Sequence, residues 1–532
     1  MVAVEPTSWR AQQLCEGVQF GVRHVADQVR PQPAPTRPHR SIDEEHTVSL
    51  PDVTSAVTPS VTPDRVIAEL VAALPSGAVL TDPDLLVPFY RDEADLCAAG
   101  TPAALVRPRT TEEVAATLRI ASAHRVPVVP QGARTGLAGA ANAVDGCVIL
   151  STTAMNRIIE VDPVNRLAVV QPGVVNAEIS RTAAKYGLRY PPDPSSWESS
   201  TIGGNVATNA GGMCCVKYGV TSEYVLGLEV VLADGEVVRC GRRTRKGVAG
   251  YDLTRLFVGS EGTLGVITEI TLALRPAAEE SLTLAALFDS VSEAGAAVIA
   301  IAESAAAPSL LELIDAVHLR AIEALRPMGL PAAAAALLLS AVDSGTRAPA
   351  DLAVIEECCR RSGAAEVHVS SDLAEADALL AARRLAHPAM ENLAAATFPA
   401  GVGALIIDDV AVPVSRLTEL LDGVASIAEE QGLVVGLVGH AGDGNMHPNI
   451  VVDRTDPASM ARGRAAFDQI MALGLALGGT STGEHGVGLL KREWLAKELG
   501  PAGVRLHRAI KDAFDPLGIL NPGKVLPRRS RA

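Results

Sequence analysis

Ser199-Ser-Thr-Ile-Gly-Gly-Asn-Val-Ala-Thr-Asn-Ala-Gly-Gly212 is the stretch that decides the fold of the first half of the chain. Two further glycine-rich segments accompany it, Pro130-Gln-Gly-Ala-Arg-Thr-Gly-Leu-Ala-Gly139 and Gly259-Ser-Glu-Gly-Thr-Leu-Gly265. Glycine lets backbone N–H groups turn towards an anion and lets phosphate oxygens come close. Three such segments favour a site for a large diphosphate cofactor over ordinary turns. None continues as a Walker A loop or matches the dinucleotide fingerprint of a Rossmann domain.

The composition limits the class of protein. A chain of 532 residues predicts two or three domains, and 48% apolar residues suffice for their cores. The net charge of −15 argues against nucleic acid or an anionic membrane surface as the main partner. The eight cysteines lack the spacing of a zinc site, which predicts free thiols in a reducing compartment.

Targeting and membrane signals are missing from the sequence as it stands. No apolar run approaches the roughly 20 residues of a membrane span. The first residues show no hydrophobic region of a secretory signal. We therefore expect a cytoplasmic protein, with peripheral attachment to the inner face of the membrane as the alternative.

Periodicity predicts an α+β organisation. Residues 1–62 are rich in proline and polar residues and predict a disordered leader. Thr110 and the acidic residues after it predict a helix start, with the helix running to about His124 between two strands. Short strands then recur at 148–150, 167–171, 225–232 and 265–274. Beyond Pro276, helices at 290–305, 312–325, 373–391 and 415–431 alternate with strands at 337–342, 403–412 and 433–438, which predicts βαβ-like pairing.

Histidines cluster in the second half, in Gly439-His-Ala-Gly-Asp-Gly-Asn-Met-His447 and Gly483-Glu-His-Gly486. Three of the chain's eleven histidines lie in these two segments, among glycine and small polar residues. Imidazoles and a carboxylate held in this way can bind a divalent metal or move a proton.

Taken in order, these motifs resemble a known family. The three glycine-rich segments and Phe514-Asp-Pro-Leu-Gly-Ile-Leu-Asn-Pro-Gly-Lys524 resemble the FAD domain and C-terminal flavin segment of vanillyl-alcohol oxidase (PCMH-type) flavoproteins. With the histidine motifs, the resemblance narrows to the FAD-linked D-2-hydroxyacid dehydrogenases. That branch holds D-lactate dehydrogenase, the glycolate oxidase flavin subunit and D-2-hydroxyglutarate dehydrogenase. The resemblance covers about residues 65 to 526.

The resemblance implies a domain order within an α+β fold. A two-subdomain FAD-binding domain over residues 63–277 precedes an α+β substrate or cap domain with a metal site over 278–509. A short segment, 510–527, returns to the flavin.

The resemblance also implies noncovalent FAD, because Thr135 stands where covalently linked members have a histidine. Ala133 and Arg134 replace glycines that the family often has, so the path of the first loop is open. The residues carried over as FAD contacts are Pro130, Gln131, Gly132, Ala133, Arg134, Thr135, Gly136, Ser199, Ser200, Thr201, Gly203, Gly204, Asn205, Thr208, Gly262, Gly265, Ile267 and Asn521, the last near the isoalloxazine ring.

In the matching relatives, the histidine motifs hold a metal and a base. Carried over, His440, His447 and Glu484 bind a divalent ion, with Zn²⁺ expected and Mn²⁺ or Fe²⁺ as alternatives. His485 is the expected general base for the substrate hydroxyl, and the α-hydrogen passes as hydride to the flavin. Asn449 either hydrogen-bonds the substrate or merely ends a strand.

Substrate recognition follows from two further segments. Ala382-Arg-Arg-Leu-Ala-His-Pro-Ala389 resembles the family segment in which an arginine binds the substrate carboxylate, which selects Arg383. Relatives acting on 2-hydroxyglutarate carry a lysine shortly before Asp-x-x-x-Pro, whereas Leu405-Ile-Ile-Asp-Asp-Val-Ala-Val-Pro413 has none. The resemblance therefore favours a D-2-hydroxy monocarboxylic acid, with D-lactate first and glycolate second.

The partners and the alternatives complete the expectations. The electron acceptor would be a quinone, a cytochrome or an electron-transfer flavoprotein. The sequence leaves the oligomeric state open, with a homodimer as one option. Arg242-Arg243-x-Arg245-Lys246 either docks the acceptor or is a solvated loop. The alternative functions are oxidation of a dicarboxylate such as D-2-hydroxyglutarate, a nonredox flavoenzyme such as alkylglycerone-phosphate synthase, and a metal hydrolase.

Overall fold

The computed structural model describes residues 63–94, 96–279, 281–330, 333–370, 380–398 and 401–527. The leader expected over residues 1–62 lies outside the described residues. The α-helices of the described part are α1 (Pro63–Ala73), α2 (Pro83–Leu86), α3 (Thr111–His124), α4 (Asn176–Ala184), α5 (Ile202–Thr208), α6 (Cys215–Tyr218), α7 (Thr254–Phe257), α8 (Val291–Ala302), α9 (Ala316–Leu325), α10 (Ala348–Arg361), α11 (Ala386–Thr397), α12 (Leu417–Gln431), α13 (Pro457–Ala476) and α14 (Arg492–Phe514).

A small sheet opens the fold. Its strands are β1 (Val79–Leu80), β2 (Ala104–Val106), β3 (Val128–Gln131) and β4 (Val148–Ser151), in the order β1-β2-β4-β3. Strands β2 and β3 both run parallel to β4, as the predicted strand–helix–strand start requires. The side chain of Thr110 accepts a hydrogen bond from the N–H of Glu113, so the predicted start of α3 is confirmed.

A second, antiparallel sheet follows. The strands of this region are β5 (Ile158–Asp162), β6 (Leu167–Val170), β7 (Leu188–Arg189), β8 (Val225–Val231), β9 (Val237–Gly241), β10 (Val266–Ala273) and β11 (Arg275–Pro276). Five of them form the sheet β5-β6-β10-β8-β9, and β7 pairs with β11. The strands predicted at 148–150, 167–171, 225–232 and 265–274 are all present.

The second half is built on one eight-stranded sheet. Its strands are β12 (Leu282–Phe288), β13 (Leu310–Asp315), β14 (Ala336–Val342), β15 (Glu366–Ser370), β16 (Gly403–Ile407), β17 (Val410–Ala411), β18 (Val435–His440) and β19 (Asn445–Asp453). The order is β15-β12-β14-β13-β18-β19-β16, and β17 pairs with β19. Every strand pair described in this sheet is antiparallel, so the predicted βαβ pairing is wrong.

Helices cover both faces of this sheet. Leu313 and Leu338 pair across β13 and β14 and pack into one hydrophobic core. The next pair, Ile314 and Leu337, packs into a second core on the opposite face. Side chains alternate between the faces of a strand, so a strand buried at every position, such as Ala336–Val342, is covered on both sides.

Several second-half elements differ from the prediction. The helix predicted at 312–325 begins only at Ala316, capped by Asp315, because Leu310–Asp315 forms β13. Short apolar runs are ambiguous between helix and strand, which explains this error. The predicted helix at 373–391 falls partly on 371–379, outside the described residues. Elements β12, β15, β19, α10, α13 and α14 were not predicted. No helix in the described part of the chain is long and apolar enough to cross a membrane.

The C-terminal segment returns to the first half. Val128 of β3 donates its N–H to the carbonyl of Ile519 and accepts from the N–H of Asn521, both at 2.8 Å. The buried carboxylate of Asp515 accepts the N–H groups of Ile519 and Leu520, which fixes this turn. The segment therefore lies against the small sheet beside the first glycine-rich loop.

Asp343, just after β14, joins the two halves of the chain. Its buried carboxylate accepts hydrogen bonds from Lys217 and, at 2.5 Å, from the hydroxyl of Tyr218. Arg189 reaches the same carboxylate at 3.4 Å and stacks on the ring of Tyr218. Three side chains of the first half thus bind the carboxylate of Asp343 in the second half.

Asp343→Ala is expected to destabilise the protein by roughly 1.5–3 kcal/mol, the usual value of hydrogen bonds to a charged group. The melting temperature, measured calorimetrically, should fall accordingly. Glu419→Ala is the control, because its pair with Arg416 is exposed on the surface. An equal melting temperature for Asp343→Ala and wild type would show that this contact contributes nothing.

Candidate active site

A cavity of about 400 Å³ is lined by residues of both halves of the chain. The three glycine-rich segments form one wall. The predicted cofactor residues that line it are Pro130, Gln131, Gly132, Ala133, Arg134, Thr135, Gly136, Ser200, Thr201, Gly203, Gly204, Asn205, Thr208, Gly262, Gly265 and Ile267.

The wall offers polar atoms without protein partners. Gln131 Oε1 and Thr201 Oγ1 are buried, and neither has a hydrogen-bond partner among the described residues. A Cβ at Gly132 would lie 2.3 Å from Thr201 Oγ1, so only glycine lets these two loops approach so closely. Unsatisfied polar atoms beside exposed glycine backbone fit a large polar ligand such as FAD.

Two predicted cofactor residues lie elsewhere. Ser199 is exposed, and its hydroxyl donates to the carbonyl of Ser196. Asn521 is buried behind the wall, where its amide donates to the carbonyls of Ala140 and Glu261. The cavity is lined by neither, and Asn521 instead holds the backbone of the first and third glycine-rich segments together.

Residues of the second half line the rest of the cavity. Arg383, His447, Asn449, Glu484 and His485 line the cavity. His440 lies behind them and is 3% exposed. The structure thus brings the predicted proton-transfer and substrate residues to the same cavity as the glycine-rich segments.

The imidazoles converge on one carboxylate oxygen. Glu484 Oε1 lies 3.1 Å from His440 Nε2, 3.3 Å from His447 Nε2 and 3.7 Å from His485 Nε2. The ligand atoms of His440, His447 and Glu484 all lie within 4.8 Å of one another, a spacing that a divalent ion can bridge. Burial would raise the pKa of Glu484, but the histidines, His440 foremost, hold it well below its ordinary value.

Glycine in the first half lets this carboxylate approach. A Cβ at Gly211 would lie 2.4 Å from Glu484 Oε2. The second glycine-rich segment therefore touches the candidate metal site directly, and a side chain at this position would displace Glu484.

Each candidate histidine ligand also faces a buried carboxylate on its far side. His440 Nδ1 hydrogen-bonds Glu312 Oε1 at 2.7 Å. His447 Nδ1 lies 3.6 Å from Asp409 Oδ1. The hydrogen bond to Glu312 fixes the ring and tautomer of His440, as a carboxylate behind a histidine ligand typically does in metal sites. Asp409 lies beyond hydrogen-bond distance of His447. Asp409, His447 and His485 also satisfy the spacing of a cation site, in which Asp409 could offer only Oδ1, because its Oδ2 accepts from three N–H groups and from the hydroxyl of Thr482.

Asp409 fixes the backbone of the Gly-Glu-His segment. Its Oδ2 accepts the N–H groups of Gly483, Glu484 and His485 at 2.9, 3.0 and 2.9 Å. Burial would raise the pKa of Asp409, but the charge of buried Lys491, the neighbouring histidines and these N–H groups hold it well below its ordinary value. The carboxylate therefore stays charged and keeps the segment in place.

Glu261 holds the other end of the same loop. Its carboxylate accepts the N–H groups of Val487 at 2.6 Å and Gly488 at 2.8 Å. Glu261 belongs to the third glycine-rich segment and has a positive φ of 51°, which a residue with a side chain rarely adopts. Burial raises its pKa to about 7. A carboxylate of the first half thus positions the loop that carries Glu484 and His485.

His485 is well placed to take a proton. Its ring stacks on His447, with the ring centres 4.7 Å apart. Burial lowers the pKa of His485 to about 4, so the imidazole is neutral at neutral pH. A neutral imidazole at the edge of the cavity can accept a proton from a bound hydroxyl.

Sequence reasoning missed three carboxylates of this site. Glu312 was assigned to a helix, Asp409 was noted only as part of Asp-x-x-x-Pro, and Glu261 only as part of a glycine-rich loop. The glycine-rich Gly483–Gly488 loop signals that its N–H groups need acceptors, but the sequence does not show which residues supply them.

Comparisons with known families match both halves. The FAD binding domain model matches residues 102–241, and the model of the C-terminal domain of FAD linked oxidases matches residues 277–525. The chain therefore contains an FAD-binding domain followed by the C-terminal domain of FAD linked oxidases.

Curated relatives and solved structures agree with these matches. The chain is 42% identical to the glycolate oxidase subunit GlcD of Bacillus subtilis, over 81% of this chain and 90% of that protein. It is 35% identical to D-lactate dehydrogenase of Anaerostipes hadrus, over 87% and 98%. Substrate-bound p-cresol methylhydroxylase superposes with a TM-score of 0.72 at 21% identity, over 87% of this chain and 97% of that one. The last likeness confirms the predicted PCMH-type fold.

Asp409→Asn should loosen the Gly-Glu-His segment, because the amide lacks the charge that binds three N–H groups. Losing a charged acceptor costs roughly 1.5–3 kcal/mol, which is about 10- to 100-fold in protection. Hydrogen exchange of the amides of residues 483–485 should accelerate by that factor. Asp162→Asn is the control, since Asp162 accepts two N–H groups at a remote exposed turn. Unchanged exchange at 483–485 in Asp409→Asn would refute the role of Asp409.

Gly204→Ala tests the cofactor wall. A Cβ at Gly204 meets only Thr201 Oγ1, at 3.4 Å, so the apoprotein should keep its melting temperature. The added methyl faces the cavity and should weaken FAD binding about tenfold or more, since overpacking costs roughly 1–3 kcal/mol. Gly203→Ala is the contrasting variant, because its Cβ would lie 2.9 Å from the carbonyl of Pro172 and should destabilise the apoprotein too. The affinity for FAD is measured by titrating the apoprotein with FAD and following the fluorescence. An unchanged FAD affinity in Gly204→Ala would show that FAD does not bind at this wall.

Proposed function

The chain belongs to the FAD-linked oxidases, and from that premise we propose that it oxidises a D-2-hydroxy monocarboxylic acid to the 2-oxo acid. D-Lactate is the first choice and glycolate the second. The observation that carries the proposal is the meeting of three groups around one cavity: the glycine-rich FAD wall, the His440–His447–Glu484 cluster and His485. The names of the curated relatives support the choice of substrate class.

We propose that His440, His447 and Glu484 hold a divalent metal, with Zn²⁺ first. Two imidazoles and one carboxylate with converging donor atoms suit this ion and leave positions open for a substrate. When bound, the metal supplies a Lewis acid that lowers the pKa of the substrate hydroxyl. The chain contributes the fixed donor set, held by Asp409 and by Glu312.

His485 is the proposed base of the reaction. Its Nε2 faces Glu484 and the cavity, and the neutral imidazole accepts the hydroxyl proton there. When bound, FAD supplies the acceptor for the α-hydrogen and the two electrons of its C–H bond. The proton on His485 and the hydride together account for the two hydrogens that a hydroxy acid loses on becoming an oxo acid.

Arg383 and Asn449 are the proposed substrate-binding residues. The Nε of Arg383 is bound to Glu312 at 2.6 Å, so the terminal nitrogens of the guanidinium are the ones available to a carboxylate. The amide of Asn449 donates to the carbonyl of His447 at 2.8 Å and lines the cavity. A substrate whose carboxylate is held by Arg383 would direct its neighbouring hydroxyl towards His440, His447 and Glu484.

Other residues that line the cavity bear on which group the substrate carries beyond its hydroxy acid end. Ile407 and Val438 line the cavity near these residues, and an apolar wall suits the methyl group of lactate. Arg384 and His387 also line the cavity, and they offer N–H donors to a second carboxylate. They therefore favour oxidation of a dicarboxylate as the alternative function. Substrates with and without a distal carboxylate therefore distinguish the two.

Anaerobic stopped-flow reduction of the flavin tests the proposal. D-Lactate should bleach the flavin, L-lactate should not, and D-2-hydroxyglutarate should react more slowly than D-lactate. His485→Ala should keep FAD but slow the reduction roughly 10²-fold or more, the usual contribution of general base catalysis. His507→Ala is the control, because that histidine lies exposed on α14.

The outcomes separate the candidate functions. Faster reduction by D-2-hydroxyglutarate would replace the monocarboxylate proposal with the dicarboxylate one. A flavin that no hydroxy acid reduces would refute both and favour a nonredox flavoenzyme. Unchanged reduction in His485→Ala would remove His485 from the mechanism.

A further inference from the structure

Glu312 of β13 lies between the candidate metal site and the candidate substrate arginine. Its Oε1 accepts from His440 Nδ1 at 2.7 Å and its Oε2 accepts from Arg383 Nε at 2.6 Å. We propose that Glu312 is a positioning residue that couples metal binding to recognition of the substrate carboxylate. The inference rests on the function proposed above and assigns a role to a residue outside the cavity wall.

The fold explains why Glu312 meets both partners. Strands β13 and β18 pair Leu313 with Gly439, so the next position of the register sets Glu312 opposite His440. Glu312 also shares its strand face with Leu310 and Ile314, which pack against α11. Arg383 lies just before α11, on the same side of the sheet.

Burial makes the two contacts obligatory. Glu312 is 0% exposed, His440 3% and Arg383 5%. A buried carboxylate is tolerated only when cations and hydrogen bonds compensate for the lost water. Here one oxygen is committed to each partner, so a shift of either partner changes the position of the other.

The two contacts have different consequences. Holding Nδ1 of His440 leaves its Nε2 directed at Glu484 and the metal position. Holding Nε of Arg383 sets the plane of the guanidinium, and with it the direction of the terminal nitrogens. Asp409, behind His447, contacts no substrate-binding arginine, because its other partners are loop N–H groups, the hydroxyl of Thr482 and Lys491.

Coupling of this kind is reciprocal. A metal that orders His440 also orders Glu312 and Arg383, so it raises the affinity for a carboxylate, and a bound carboxylate raises the affinity for the metal by the same factor. Glu312→Gln keeps the shape but removes the charge, and it should weaken both.

The experiment measures zinc affinity and steady-state kinetics in the FAD-loaded protein. By chelator competition, Glu312→Gln should bind Zn²⁺ roughly 10- to 100-fold more weakly than wild type, as expected when a carboxylate behind a histidine ligand is lost. At saturating Zn²⁺ the KM for D-lactate should still rise severalfold, because Arg383 is misplaced. FAD content should not change.

Two further variants make the result specific. Asp443→Asn removes a charge that also interacts with His440. The contacts described for Asp443 include no hydrogen bond to the imidazole, so a smaller loss of zinc affinity is expected. In Arg383→Lys the KM rises, and adding Glu312→Gln should raise it little further, because both changes break the same contact.

Several results would overturn the inference. An unchanged zinc affinity in Glu312→Gln, or an unchanged KM at saturating Zn²⁺, would remove the coupling. If Asp443→Asn lost as much zinc affinity as Glu312→Gln, the loss would be explained by the removed negative charge alone, without the hydrogen bond to His440. If Glu312→Gln fails to fold, Glu312→Asp keeps the charge but shortens the side chain, and the same two losses are expected. Failure of D-lactate to reduce the wild-type flavin would refute the proposed function, while the zinc comparison would still decide the role of Glu312 at the metal.

Discussion

The loop from Thr482 to Gly488 is held at both ends by buried carboxylates, and the geometry of the site depends on that constraint. Asp409 of the second half accepts three consecutive N–H groups, from Gly483 through His485. Glu261 of the first half accepts the next two donors, those of Val487 and Gly488. A loop with five N–H groups bound to fixed carboxyl groups has little freedom, so Glu484 and His485 are placed by the backbone. Because the two carboxylates come from different halves, the same contacts also align the glycine-rich wall with the histidine cluster.

The cost of these buried anions explains the rest of the arrangement. Asp409 is balanced by Lys491, which donates to its carbonyl and lies beside its carboxylate at 1% exposure. Glu312 is balanced by Arg383 and His440, and Glu484 by the imidazoles around it. Each anion is thus met by a cation or an imidazole, as burial demands. A divalent ion bound by the imidazoles would lie close to the negative charges of Glu484 and Glu312. This attraction favours binding of the ion.

The sequence was sufficient for the parts of the site that are local. The glycine-rich loops indicated the cofactor wall from their own residues, whereas His440, His447 and Glu484 were selected through the family resemblance of their motifs. The sequence did not reveal which distant residues contact the site residues. Glu312 reaches His440 only through the register of β13 and β18, and its apolar flanks were read as helix. The antiparallel order of the large sheet escaped prediction for the same reason, since strand pairing is decided by contacts far apart along the chain. Asn521 was expected at the cofactor, but its amide is used by backbone carbonyls behind the wall.

The central claim is that a chelated cation and FAD face each other across one cavity. Crystals of the FAD-loaded protein, measured at the X-ray absorption edge of the metal found by elemental analysis, test it most directly. The account predicts one anomalous peak within bonding distance of His440 Nε2, His447 Nε2 and Glu484, beside the cavity that holds FAD. An active, FAD-loaded crystal with no ion at these three residues would contradict it.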